Sequence, residues 1–284
     1  MTTAAIVLLI DLQNGFAHDG LTAEQGGSLY VPGGEQVGRV AAGLVRDAHD
    51  TVFVLSQDFH PADHISFAAN HGVEPFSTIK LSADAQGVYR VDVGGTLAQT
   101  AWPDHCKQGT ESAQLVDELL AELPADLSAN LASAEPVLFA RDGRGNAFYV
   151  VRKGTRRDLD SYGIATENDG VSTTRAPAVF AAIAETWRQA GVTDARIAIG
   201  GLATNFCVEF SHDDIYRYLV PALQARGIGA QVFFLADISA GIAVSADDGA
   251  WPDLAAATDR MAQKGTRISR VADWSAQSPA GRSA

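Results

Sequence analysis

Residues 4–10 read Ala4-Ala5-Ile6-Val7-Leu8-Leu9-Ile10, an unbroken apolar run that stops at a charge, Asp11. A strand with one wet face alternates apolar and polar residues. A continuous run with β-branched members suits a strand buried on both faces, as inside a parallel sheet. Four further stretches repeat the pattern: residues 51–56 (TVFVLS), 148–152 (FYVVR), 195–200 (ARIAIG) and 230–235 (AQVFFL). Residues 267–271 repeat it more weakly. Helical spacing of apolar residues predicts helices over 36–48, 112–123, 176–189, 205–223 and 253–263, between those strands. Strand alternating with helix predicts an α/β fold, a doubly wound, mostly parallel six-stranded sheet with helices on both faces.

The chain has 284 residues, 46% of them hydrophobic, enough for a full-sized core. A single domain over residues 1–274 is expected. It carries loop insertions near 59–110, rich in His, Pro and Asp, and near 124–147, rich in Ala, Pro and Gly. Residues 275–284 are small and polar and are expected to form a disordered tail. The formal net charge of -13 disfavours nucleic acid and anionic membrane as partners. Two cysteines far apart, Cys106 and Cys207, make no disulfide framework, and no leader or membrane-spanning stretch stands out. A cytoplasmic setting is the expectation.

In open α/β sheets, ligands sit outside the carboxyl ends of the strands. There the predicted strands end in Asp11, Asp58 and Lys153, and a fourth runs through a Gly-rich turn, residues 200–207, to Cys207. A carboxylate, an amine and a thiol thus share one edge. The start of a helix and the Lys153 ammonium are both expected to lower the Cys207 thiol pKa. Asp11 can take the thiol proton and return it to a leaving amine. The N–H groups of Ala203 and Cys207 are placed to form an oxyanion hole. A lone Cys is more often an inert core residue; the matching strand ends of Asp11 and Lys153 reverse that balance here.

A second cluster is Asp58-Phe59-His60-Pro61-Ala62-Asp63-His64. In an extended chain Asp58 and His60 lie on the same side, so both can meet one cation. Trp102-Pro103-Asp104-His105-Cys106 offers a third ligand. Carboxylate with imidazole suits zinc, iron(II) or manganese. His71 has no second ligand-type residue at close spacing and reads as a loop residue, while His18, His49 and His212 read as surface or helix residues.

These motifs, with Asp11-Leu12-Gln13-Asn14-Gly15-Phe16, Arg152-Lys153-Gly154 and the 201–208 stretch GLATNFCV, resemble those of nicotinamidases in the isochorismatase-like hydrolase superfamily. The resemblance runs from Ile6 to about Leu235. It implies catalytic roles for Asp11, Lys153 and Cys207 in metal-dependent hydrolysis of nicotinamide to nicotinate and ammonia through a thioester. It implies a divalent metal, foremost zinc, on Asp58, His60 and His105, with His64 as a further candidate ligand. Phe16 and Trp102 would sandwich the pyridine ring, with Tyr162 a third candidate substrate contact. A cis peptide before Ala203 and a homo-oligomer are further implications. The chain departs from the family where two adjacent aromatics commonly follow Asp160-Ser161-Tyr162; here Gly163-Ile164-Ala165-Thr166 stands. Two alternatives share these residues. One is another superfamily amidohydrolase acting on a related carboxamide, carbamoyl or ureide substrate. The other is a non-catalytic metal- or pyridine-binding protein.

Overall fold

The computed structural model describes residues 2–242 and 254–276. The strands are β1 Thr3–Ile10, β2 Thr51–Asp58, β3 Thr78–Ala83, β4 Tyr89–Val91, β5 Leu97–Thr100, β6 Val137–Arg141, β7 Ala147–Lys153, β8 Asp194–Leu202, β9 Gly229–Ala240 and β10 Arg267–Ser269. A seven-stranded sheet runs β10-β9-β8-β1-β2-β7-β6. All its pairs are parallel except β6 with β7. The six strands expected from the sequence are its parallel members. β1 lies at the centre, and successive residues from Ile6 to Ile10 are at most 1% exposed, so both faces of the sheet are covered, as the unbroken apolar run requires. The covering helices include Gly34–Asp47, Ala176–Gln189 and the helical stretch 204–224.

The seventh strand lies inside the expected 124–147 insertion. Buried and exposed residues alternate along it, with Leu138 and Ala140 inward and Phe139 and Arg141 outward, as suits an antiparallel edge strand. Asp142 closes the hairpin to β7 by accepting the N–H groups of Arg144 and Asn146. The expected 59–110 insertion holds a separate three-stranded antiparallel sheet, β4-β3-β5.

The helix expected over 112–123 is not formed as one element. Single turns occur at Glu111–Ala113 and Asp117–Leu120, with extended backbone between them. Tertiary hydrogen bonds override the local pattern there: the Asn14 N–H donates to the Gln114 carbonyl and the Val116 N–H to the Leu12 carbonyl. At the chain end, Ser275 and Ala276 belong to the helix Val271–Ala276; residues 277–284 of the expected tail lie outside the described residues. No described helix is long and apolar enough to cross a membrane.

β1 is flanked by β8 on one side and β2 on the other, which makes this the topological switch point of the sheet. Register aligns Ile10 with Gly201 and Asp58 with Lys153. The ends of β1, β2, β7 and β8 therefore open on one crevice.

Candidate active site

Asp11 leaves β1 in a left-handed conformation, φ 49°, one that Asp adopts more readily than most residues. Ser56 pins it: its hydroxyl accepts the Asp11 N–H (3.0 Å) and donates to Oδ1 (2.6 Å). Ser56 and Asp58 lie two residues apart on β2, hence on one side of the strand. Gln13 fixes the Asp58 backbone, accepting its N–H at 2.7 Å and donating to its carbonyl at 2.8 Å.

The Lys153 ammonium sits among these groups, wholly buried. It lies 2.9 Å from Asp11 Oδ2, 2.7 Å from Asp58 Oδ1, 2.9 Å from the Ser161 carbonyl and 3.5 Å from Cys207 Sγ. Buried charge is tolerable only when paired and hydrogen-bonded, and three oxygens surround this one. Burial acts against the ammonium, but Asp11 and Asp58 hold its pKa well above the usual lysine value. Burial lifts Asp11 to about 6, against the pull of Lys153 and with the help of Asp58. Asp58 moves the other way despite its burial, drawn down by Lys153 and His60.

The sequence led us to expect an acidified thiol at Cys207. The structure reverses this. Burial pushes the thiol well above its ordinary value, Lys153 pulls down, and Asp11 and Asp58 push up again. The lone ammonium is already shared by two carboxylates, so the resting group is S–H beside the ionisable Asp11.

Asp58, His60 and His105 present ligand atoms within 4.8 Å of one another, all buried. Both imidazoles are oriented from behind. His60 Nδ1 lies 2.9 Å from the Gly154 carbonyl and His105 Nδ1 lies 2.8 Å from the Pro103 carbonyl. A carbonyl only accepts, so each Nδ1 carries a proton, and Nε2 is the nitrogen left for a metal. Burial acts against the charged form of His60, but Asp58 holds its pKa above the ordinary value, so an ion there competes with a proton on Nε2. Burial, then the neighbouring His60, lowers His105 to about 4 and keeps it neutral.

His64 stands apart from this group, although its ring centroid is 4.2 Å from that of His60. Its Nδ1 lies 2.7 Å from Ser66 Oγ and its Nε2 3.3 Å from the Leu159 carbonyl. His64 also groups with His60 and Asp160, their ligand atoms within 4.8 Å of one another. His212, read from sequence as a surface or helix residue, is helical but fully buried, with Nε2 2.6 Å from Thr266 Oγ1.

Gly154, which orients His60, has φ 59°, and a Cβ there would overlap the His60 imidazole. Gly154→Ala is expected to cost about 1–3 kcal/mol through overpacking and backbone strain. A urea unfolding midpoint equal to that of the parent protein would show that His60 is not pinned this way.

The crevice is lined by Phe16, Leu29, Asp58, Trp102, His105, Asp160, Tyr162, Ala203, Phe206, Cys207 and Ile242. All three expected ring contacts, Phe16, Trp102 and Tyr162, are among them, as are both residues of the expected oxyanion hole. The Leu202–Ala203 peptide is cis, as the resemblance implied. Sequence reasoning missed Phe206, whose ring packs edge-on against Trp102 at 5.4 Å and Tyr162 at 6.0 Å. It also missed Ser56, Gln13 and Asp160. For Ser56 the signal was there, in its period-two spacing from Asp58.

No family model matches the chain. It is similar to the nicotinamidase of Acinetobacter baylyi, 31% identical over 209 residues, covering 73% of this chain and 72% of that one. The Escherichia coli nicotinamidase is 29% identical over 270 residues, covering 94% and 95%. Among solved structures, a nicotinamidase/pyrazinamidase of Acinetobacter baumanii superposes with a TM-score of 0.60 at 25% identity, covering 95% of this chain and 97% of that one.

Proposed function

The chain belongs to the nicotinamidase family, and from that premise we propose that it hydrolyses nicotinamide to nicotinate and ammonia through a thioester on Cys207. The observation that carries this reading is Lys153: one buried ammonium touches Asp11 and Asp58 and lies 3.5 Å from Cys207 Sγ. It joins a nucleophile site to a ligand cluster in a single pocket.

In this reading Asp11, Lys153 and Cys207 are the catalytic residues. With the amide seated, Asp11 takes the Cys207 proton as sulfur attacks the carboxamide carbon. Charge developing on the amide oxygen falls to the N–H groups of Ala203 and Cys207, where each such donor is worth about 3 kcal/mol. Lys153 holds Asp11 in place. Asp11 then passes its proton to the departing ammonia, and it next deprotonates the water that cleaves the thioester. Phe16, Trp102, Tyr162 and Phe206 hold the ring.

The donor set of Asp58, His60 and His105, with both Nδ1 atoms tied to backbone carbonyls, fits a divalent transition metal, zinc foremost among zinc, iron and manganese. Bound there, the ion supplies a Lewis-acid site for the pyridine nitrogen and so fixes the carboxamide relative to Cys207.

Because the thiol rests protonated, the base and not the thiolate sets the pH dependence. kcat/KM is expected to fall as pH drops through about 6, where Asp11 gains its proton, and to stay level from about 7 to 9. A profile that keeps rising to pH 9 would mean that free thiolate, rather than Asp11, limits attack. The overall reading is tested by ammonia release from nicotinamide, pyrazinamide, benzamide and an aliphatic ureide. Turnover of the ureide without turnover of nicotinamide would move the assignment to another amidohydrolase.

A further inference from the structure

The helical stretch that begins near Cys207 carries two buried polar side chains on the same face. Cys207, Ser211 and Asp214 are spaced i, i+4, i+7. Neither Ser211 nor Asp214 faces the substrate crevice; both turn to the loop 161–166. The Ile164 N–H donates to Ser211 Oγ at 3.0 Å. The N–H groups of Ala165 and Thr166 both donate to Asp214 Oδ2, at 2.6 and 3.0 Å, and the Thr166 hydroxyl donates to Oδ1 at 2.5 Å. Three consecutive backbone donors are thus received by one helix face.

That loop carries two parts of the site. The Ser161 carbonyl accepts from Lys153 Nζ, and Tyr162 lines the crevice. Ile164 and Ala165 are buried in the core and also bonded to Thr174, while Tyr162, Gly163 and Thr166 line a second cavity of ≈ 660 Å³ on the outside. A Cβ on Gly163 would overlap Asp214 Oδ2. Asp214 therefore favours glycine at 163, and the two residues act as a unit.

We propose that Asp214, assisted by Ser211, is a positioning residue: it straps the loop 161–166 to the nucleophile helix and so sets both the Ser161 carbonyl on Lys153 and the Tyr162 wall that limits ring size. This rests on the crevice being the amide site. Asp214→Ala is expected to lower kcat/KM for nicotinamide roughly tenfold or more, since small misplacements at a reacting centre are costly, and to lower selectivity for nicotinamide over the bicyclic quinoline-3-carboxamide by a similar factor. Asp214→Asn keeps a carbonyl oxygen for the two N–H groups and should restore both to within about threefold. Gly163→Ala should reproduce the alanine phenotype, yet cost little more when added to Asp214→Ala, because the clash is gone. Amide exchange at 164–166 should rise in Asp214→Ala, while the rest of the sheet edge stays protected.

Wild-type protein that releases no ammonia from nicotinamide overturns the proposed function alone; the strap is then judged on the exchange data. Active wild-type with unchanged rate and selectivity in Asp214→Ala, or additive effects of Gly163→Ala and Asp214→Ala, overturns the strap. Should Asp214→Ala not fold, Ser211→Ala, which removes one bond of the strap, must show the same loss of selectivity at smaller size; wild-type selectivity there overturns it too.

Discussion

Cys207→Ala is expected to lower ammonia release from nicotinamide by at least ~10⁴-fold, the scale on which removal of a covalent nucleophile acts. The side chain is 7% exposed, and alanine loses only the sulfur atom, so the fold should persist. Cys207→Ser should fail almost as badly. A hydroxyl is a far weaker acid than the thiol, and Asp11, with its pKa near 6, is matched only to a group whose proton leaves as attack proceeds. Acid quench during turnover, followed by intact mass analysis, should show one pyridine-3-carbonyl group on the wild-type chain and none on the alanine variant. Peptide mapping should place it on Cys207 and not on Cys106, which is fully buried with Sγ directed at the Ser112 carbonyl, 3.5 Å away. Undiminished turnover by Cys207→Ala would remove the nucleophile from the mechanism altogether.

The protonation state of that thiol was not legible in the sequence, and the reason is physical. A helix start and a lysine are local signals, and both point to acidification. What overrides them is tertiary: burial, and a second carboxylate, Asp58, drawing on the same ammonium. The positions of Asp11, Asp58 and Lys153 were legible because strand ends in a parallel sheet must meet at one edge. So were His60 and His105, through dense ligand-type motifs. His64 shares that motif, but its neighbours Ser66, Leu159 and Asp160 are a setting no spacing rule contains. The edge strand Val137–Arg141 was hidden for a related reason. It is five residues long and half exposed, its outward face carries the apolar Phe139 so that apolar and polar residues do not alternate, and β7 holds it through hairpin pairing.

Removal of the metal is expected to lower kcat/KM for nicotinamide by ~100-fold or more, a Lewis-acid contact being worth several kcal/mol. The more telling quantity is a ratio. Benzamide carries the same carboxamide on a ring without nitrogen, so it meets Cys207, Asp11 and the oxyanion donors equally but offers nothing to a cation. The holoenzyme should prefer nicotinamide strongly, and chelation should bring the two substrates close together. His105→Ala should do the same, and it separates metal binding from nucleophile chemistry better than Asp58→Asn does. Asp58 also holds Lys153 at 2.7 Å, whereas His105 Nδ1 is tied only to the Pro103 carbonyl. Added metal should restore the chelated wild-type protein and leave the variant low, with elemental analysis naming the ion. If the chelated protein kept full activity, ring selectivity would have to come from Phe16, Trp102, Tyr162 and Phe206 alone. Aromatic faces sense shape more than one ring nitrogen, so benzamide should then be turned over nearly as well, and that joint result decides between the two sources of specificity.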